Sequence, residues 1–559
     1  MNITFFSPFS VVMDWKSQEL AIQKLLNENK DYKIKVLGCS GILNQNCPAI
    51  DSFNHSNKNK NNQVCKRCNT NTNYFNKSLS LEYKSIEDLL DEKTNKKIIN
   101  LMKSININNI INFKINGLEI GKFASYEIIS RYKKNDTIFT NLEFKDFLKN
   151  VHNCLRIYFA LENYSAHNKT DIAITYNGSY GINNLFLEYF RRNGSLSYFL
   201  HASTNNAERF EKVNLYMNNN IETLNKIKKK WKKFESMVLK KQDIDLIGRH
   251  IETLLYANKS HTYSPSIKKN FVDIRNFFKI DKDKKIVLAA LSSYDEILTS
   301  QLLKLNQSKK DIFPNQIDWI KALIKFFKKN PNFHLIIRPH PREFSGKKPS
   351  KQIVQLREIT KNLPKNITLN FPNQKISVFN YIGNIDLLLS SWSSIGEDLG
   401  YFGTPSMLIS HFNACYPESL SYVVKSKDHY FKMITKIVYS KKNFLDTSIK
   451  FYRYKSFVTS KTTLDLSHIL PKKNKIISIL FRAIDKLSLR FKIPSVYKYY
   501  ILNHIYKDFK INGIDKIFKT GASNLSEVLS TKINSSNKDL SEERKLIMNS
   551  VNQHLRLLR

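Results

Sequence analysis

The chain has 559 residues, is 42% hydrophobic, and carries 89 Lys and Arg against 48 Asp and Glu, a formal net charge of +41. That length holds two to four domains with full cores, and that apolar fraction excludes a disordered chain. The charge attracts polyanions such as nucleic acid, anionic lipid or phosphorylated substrates, yet the basic residues are spread out, with no arginine-rich arm and the most one-sided stretch between Lys441 and Lys519.

From the N-terminus, Ile3 to Phe6 reads as a strand, Ser7 to Met13 as a loop, Asp14 to Asn27 as a helix capped by Asp14, and Lys33 to Leu37 as a second strand. Strand–helix–strand order implies a parallel sheet with crossover helices. The opening MNITFFSPFS has neither the basic leader nor the small-residue cleavage site of a secretory signal, and no run approaches the roughly 20 apolar residues of a membrane span. A cytoplasmic protein is therefore expected, its six cysteines being thiols or metal ligands and not disulfides.

Cys39, Cys47, Cys65 and Cys68 form C-x7-C-x17-C-x2-C, which resembles a four-thiolate zinc site. A structural zinc would anchor an insertion, 39–75, whose Asn-, Ser- and Lys-rich part from Ser52 to Asn73 otherwise reads as a loose loop. Ile86 to Asn112 is mostly helical in pattern. Asp171 to Tyr176 is a buried strand broken by Asn177-Gly178, followed by a helix, Ile182 to Arg192, and a strand, Leu196 to Leu200. Ile221 to Ala257 reads as charged surface helix and Asn258 to Lys269 as a linker.

A second alternating series begins with strand Lys285 to Leu291 and continues through helix Gln316 to Lys329 and strands Phe333 to Ile337 and Ile367 to Leu369. It ends with helix Ile376 to Tyr381, strand Asp386 to Leu389, helix Ile395 to Phe402 and strand Ser406 to Ile409. Polar clusters follow three of these strands: Ser292 and Ser293, then Arg338-Pro339-His340-Pro341, then Ser390 to Ser394 with Glu397 beyond. In a parallel sheet such ends share one edge, where ligands bind. Two prolines stiffen the turn that holds His340. Arg338 suits bidentate pairing with phosphate, Ser393 and Ser394 offer hydroxyls at a helix start, and Glu397 suits ribose hydroxyls. A nucleotide phosphate cradle is the reading these residues support.

RPHP followed about fifty residues later by SSWSSIGEDLGYFGTPSMLI resembles the C-terminal half of GT-B glycosyltransferases of surface-polysaccharide pathways. It is similar to capsule polysaccharide biosynthesis proteins and, more distantly, to CDP-glycerol glycerophosphotransferases and GT-B sialyltransferases. ALSSYDEI and FFSPFSVVMDWKSQELAIQKLL resemble the openings of the two halves, so that residues 1–24, 171–205 and 284–420 are covered. The resemblance implies an α/β, GT-B-like fold in which two Rossmann-like domains face a central cleft, with a basic helical C-terminal extension. The domains expected are 1–265 on the acceptor side, 270–425 binding the nucleotide sugar, and 426–559 as the extension. It also implies that His340, Ser393 and Ser394 contact the donor phosphates, that Glu397 approaches the nucleotide sugar, and that no catalytic metal is needed.

The cleft also needs a base for the acceptor hydroxyl. Asp14 and His201 are the candidates, with the TYNGSYGINN segment as an acceptor loop. Asn474 to Ile493 places Ile476, Ile477, Leu480, Ile484 and Leu487 on one helical face beside Lys475, Arg482, Lys486 and Arg490, a pattern suited to an anionic membrane surface. The expected partners are a nucleotide sugar, a glycan or lipid-linked glycan acceptor, and the inner-membrane surface, without nucleic acid. The rival readings are a polyol-phosphate transferase, a UDP-sugar 2-epimerase and a nucleic-acid-binding protein, the last resting on charge alone.

Overall fold

The computed structural model describes residues 1–51, 58–257, 264–267, 271–303, 312–344, 349–410, 413–440, 443–470, 480, 483–484, 501–503, 505, 513–529 and 536–558. Most of the basic amphipathic segment Asn474 to Ile493, and of the linker Asn258 to Lys269, lies outside the described residues.

The first sheet is built from β1 (Asn2–Phe6), β2 (Lys33–Gly38), β3 (Glu82–Ser85), β4 (Ile172–Tyr176), β5 (Leu196–Ala202) and β6 (Lys212–Met217), interleaved with helices. These are α1 (Met13–Glu28), α2 (Lys58–Ser78), α3 (Glu92–Lys103), α4 (Ile120–Tyr132), α5 (Asn141–Ser165) and α6 (Gly181–Arg192). Then α7 (Asn220–Trp231) and α8 (Lys241–Leu255) lead to the second sheet, of β7 (Lys285–Ala290), β8 (Phe333–Arg338), β9 (Ile367–Leu369), β10 (Leu387–Ser390) and β11 (Ser406–Leu408). Its helices are α9 (Asp295–Leu302), α10 (Gln316–Lys328), α11 (Lys351–Ile359) and the short α12 (Ile395–Gly400). Finally α13 (Lys427–Tyr439), α14 (Phe444–Ser460), β12 (Thr463–Asp465) and α15 (Asn537–Arg556) close the described chain.

Strand order is β12-β6-β5-β4-β1-β2-β3 in the first sheet and β11-β10-β7-β8-β9 in the second. The second sheet is parallel throughout and the first is parallel from β5 to β3. The expected α/β architecture of two Rossmann-like sheets is therefore present. Alternation along the strands explains their double burial. In β1, Ile3 and Phe5 enter one apolar cluster and Phe6 another. In β7, Ile286 and Leu288 face the cluster that holds Phe6, while Val287 and Ala289 face away. One core thus runs continuously from the first sheet to the second. At the antiparallel edge β12 pairs with β6 through Leu464 and Val213, so the chain returns to its first sheet after completing the second.

Three elements differ from the sequence reading. The Asn-rich stretch is not a loose loop from Lys58 onward but the helix α2. Its buried Val64, Cys68, Asn71, Thr72, Phe75 and Asn76 recur at helical spacing. The polar ones are satisfied at the first-strand loop: Asn71 donates to the Ser10 carbonyl at 3.0 Å and Thr72 Oγ1 bonds Ser10 Oγ at 2.8 Å. Helix α1 starts at Met13 with Val12 as its N-cap and no side-chain cap, so Asp14 lies in the first turn. The segment from Val378 to Tyr381 is a single 3-10 turn. Among the described residues no helix is long and apolar enough to cross a membrane.

Two glycines permit close backbone approach between α4 and its neighbours. A Cβ on Gly121 would lie 1.9 Å from the Ile110 carbonyl oxygen, and one on Gly181 2.1 Å from that of Phe123. Gly181→Ala is expected to cost about 1–3 kcal/mol through this overpacking, read as a lowered melting temperature. An unchanged melt would show that α4 and α6 separate freely.

Candidate functional site

Because β7, β8 and β10 run parallel, the segments after them emerge on one edge. There they meet the first sheet across a cleft. Two adjoining cavities fill it, of about 320 Å³ and 450 Å³, and His340, Ser393 and Ser394 line both. Ser292 and Ser293 line only the larger; Arg338 and Glu397 line only the smaller.

Each side chain has protein partners that define what it offers. His340 Nδ1 accepts from the Arg342 backbone N–H at 3.2 Å, so the neutral ring carries its proton on Nε2. Burial lowers its pKa to about 4, opposed by Asp295 and assisted by the Lys133 and Arg338 cations. His340 is thus a neutral imidazole at physiological pH. Arg338 donates to Asn370 Oδ1 and, at 2.9 Å, to the Ile376 carbonyl, and its guanidinium lies 5.7 Å from the Tyr381 ring centroid. These contacts brace the segments that follow β9.

Ser292 ties strand ends together: its N–H donates to Gln316 Oε1 at 2.7 Å, and Ser391 Oγ lies 2.8 Å from its hydroxyl. Ser293 Oγ lies 2.5 Å from Asp295 Oδ1 and 2.9 Å from Glu343 Oε1. Asp295, almost wholly buried, takes Lys133 Nζ at 3.0 Å and Arg342 Nη2 at 3.2 Å. Lys133 stands in left-handed conformation at the end of α4, so this ion pair joins the two halves beside the larger cavity. Ser394 is the N-cap of α12 without a side-chain cap bond, while Ser393 Oγ accepts from the Ile395 N–H at 3.4 Å. Gly396 fits because a Cβ there would lie 2.0 Å from the Tyr416 hydroxyl.

Glu397 is 8% exposed. Its Oε1 accepts from Lys455 Nζ at 2.8 Å and from the Tyr401 hydroxyl at 2.5 Å. Lys455 belongs to α14 and also donates to the Thr204 carbonyl of the first half at 3.0 Å. Burial, reinforced by the Glu397 charge, pushes the neighbouring Asp398 carboxyl up to about 7. Lys455, Asp398, Arg209 and His250 all line the smaller cavity, and the sequence reading missed all four. Asp398 lay within the Ser-rich motif; the other three are brought in by tertiary packing and carry no local signal.

Asp14 and His201 line neither cavity. Strand β5 does not stop at Leu200 but continues to Ala202, so His201 sits inside it, paired in register with Asn214. Its Nδ1 lies 2.9 Å from the Ala202 carbonyl, and burial with nearby Arg209 lowers its pKa to about 4. Asp14 stands instead beside Tyr176, against which Trp15 stacks at 5.7 Å.

Among the described residues no three His, Cys, Asp or Glu side chains form a metal-binding group. The four-thiolate zinc site expected from the sequence is therefore not shown. Cys68 Sγ accepts from the Ser10 N–H at 3.2 Å and Cys39 Sγ from the Gly41 N–H at 3.3 Å. Cys47, Cys65 and Cys68 pack around Val11, Ala49, Ile50 and Val64. Burial pushes the Cys39, Cys47, Cys65 and Cys68 thiols up.

No family model matches the chain, and no curated protein matches it. Among solved structures it is similar to UDP-GlcNAc 2-epimerase from Neisseria meningitidis bound to UDP-GlcNAc, at 10% identity and TM-score 0.26, covering 86% of this chain and 100% of that one. It is similar to KpsC, a beta Kdo 2,4 transferase of Thermosulfurimonas dismutans, at 8% identity and TM-score 0.31, covering 60% and 87%. The N-terminal domain of Candida albicans trehalose-6-phosphate phosphatase gives 10% identity and TM-score 0.29, covering 82% and 95%. Likenesses of this depth fix neither a substrate nor a reaction.

Asp398 provides a test of the cleft's electrostatics. A carboxyl whose proton is held more tightly in the folded chain adds stability that is full below its ordinary pKa of 3.8 and is lost as pH rises through about 7. Relative to Asp398→Asn, the wild-type melting temperature is expected to fall over that interval. Parallel curves would show Asp398 ionised throughout.

Proposed function

We propose that the chain is a nucleotide-sugar enzyme, and specifically a GT-B-type glycosyltransferase that moves a sugar from a nucleotide-activated donor to a surface-polysaccharide acceptor. The observation that carries this reading is the position of His340, Ser393 and Ser394 at the junction of the two cavities. A donor has this division: nucleoside, phosphates, sugar. The nucleoside would enter the smaller cavity, between apolar Val378, Phe379 and Ile395 and the polar Glu397 and Asp398. The phosphates would lie at the junction. There the neutral His340 donates its Nε2–H, and the serine hydroxyls donate beside it. The sugar would extend into the larger cavity, towards Tyr126, Asn184 and Trp392.

In the transfer step the acceptor hydroxyl oxygen forms the new bond to the sugar's anomeric carbon as the bond from that carbon to the phosphate oxygen breaks, and the hydroxyl proton passes to the departing phosphate or to water. Charge then grows on the leaving phosphate. Donors already fixed in place stabilise that charge without reorganising. Ser292, Ser293 and Arg338 would act one layer back, holding the strand ends and the β9 segment in register. The acceptor, a glycan free or lipid-linked, would reach the larger cavity from the first half, in the cytoplasm and at the inner-membrane face.

The test is the melting temperature of the purified chain with CMP, CDP, UDP, GDP and ADP, repeated with His340→Ala. A ligand bound only by the folded state at a hundredfold excess over its Kd stabilises by about 2.7 kcal/mol. One nucleotide is expected to raise the melting temperature, and the substitution to abolish the rise. A rise with duplex DNA alone, steeply reduced by salt, would overturn the reading in favour of nucleic-acid binding.

A further inference from the structure

The smaller cavity is lined by residues of both sheets, but one wall comes from neither. Helix α14 supplies Tyr454, Lys455 and Val458 to it. That helix is held from behind by α15, where Arg453 Nε donates to Glu543 Oε1 at 2.9 Å and Glu543 Oε1 also accepts from the Leu239 N–H at 2.9 Å. The C-terminal part of the chain therefore sets where Lys455 stands.

Lys455 is 3% exposed. An ammonium has three N–H donors. Two are engaged, by Glu397 Oε1 and by the Thr204 carbonyl, and among the described residues the third has no hydrogen-bond acceptor. A buried cation with an unfilled donor on a cavity wall is poised to meet a ligand, because leaving the donor unmade is costly. Beside it Asp398 lines the same cavity. Among the described residues its carboxylate takes no hydrogen bond from another side chain, whereas Glu397 is already occupied by Lys455 and Tyr401.

One spare donor and one open acceptor side by side select the group that fills both. A carbonyl or phosphate oxygen only accepts. A hydroxyl accepts from the ammonium and donates to the carboxylate, and two adjacent hydroxyls do so without strain. We propose that Lys455 and Asp398 bind the vicinal diol of the ribose, so that the nucleotide site is completed by the C-terminal helix and not by the second sheet alone. This rests on the nucleotide reading above.

The groups facing the pair are Glu397 on the same helix, Tyr454 on α14, Tyr401, Cys415, His250 from α8, and Arg209 and His340 across the cavity. Removing Lys455 alone would leave Glu397 buried without its counter-charge. The test therefore compares Lys455→Met/Glu397→Gln with Glu397→Gln, both on the full chain. The probe is whichever of UDP, CDP, CMP, GDP and ADP binds the wild type, with its 2′-deoxy form.

The double variant is expected to bind the ribonucleotide about tenfold more weakly than Glu397→Gln. The preference for ribose over 2′-deoxyribose seen in Glu397→Gln should shrink in the double variant, and also in Asp398→Asn compared with the wild type. Equal affinity of the two variants that carry Glu397→Gln, with an unchanged ribose preference, would overturn the proposal and leave Lys455 a counter-ion for Glu397. If the wild type binds none of the five nucleotides, the nucleotide reading itself fails and takes this proposal with it.

Discussion

Parallel pairing governs this molecule. Neighbouring parallel strands cannot be joined by a tight turn, so each returns through a crossover, and every segment leaving a strand's carboxyl end falls on the same side. In the second sheet that rule brings together Ser292 after β7, His340 after β8 and Ser393 after β10, residues that lie far apart along the chain. The apolar interiors of those strands make the gathering rigid: Leu288, Ile336 and Leu388 all enter the core cluster that also holds Phe6 and Phe199 of the first sheet. At the cleft this continuous core opens into a polar surface.

Charge is handled at the cleft by pairing across the halves. Lys133 of α4 meets Asp295 at one side, and Lys455 of α14 bridges Glu397 and the Thr204 carbonyl at another. Each pair is largely out of water, where the loss of one partner is far more costly than the pair is worth. Such contacts therefore specify how the halves meet more than they add to stability. The surplus of basic residues has a different place. Lys228, Lys229 and Lys230 close α7, where cations suit the helix C-terminus, and many others are solvated.

How far the sequence could be read depended on whether each signal was local. The strands Lys285–Ala290 and Phe333–Arg338 are short apolar runs ended by polar residues, and their place in a parallel sheet followed from that alone. So did the edge on which His340 and the serines sit. Helix α2 was hidden because its buried face carries Asn71, Thr72 and Asn76, side chains that become interior only through bonds to the Ser10 segment. His201 was misplaced because β5 gains two residues by pairing antiparallel with β6, and antiparallel strands without a short hairpin leave little trace. The partners of Glu397 could not be seen at all: nothing in FYRYKSF marks Lys455 as an interior ion.

The return of the chain to its first sheet also bears on how the protein is made. Strand β6 is an edge until Leu464 pairs with Val213, and an open edge is a template for other chains. On a ribosome the first sheet therefore waits, one strand short, while the whole of the second is synthesised. Its closure joins segments far apart along the chain, an event of the kind that slows folding and invites misassembly. Expressed alone, either half would present a surface that the other, or the returning strand, normally covers, so the natural unit of folding is the full chain and not the domain.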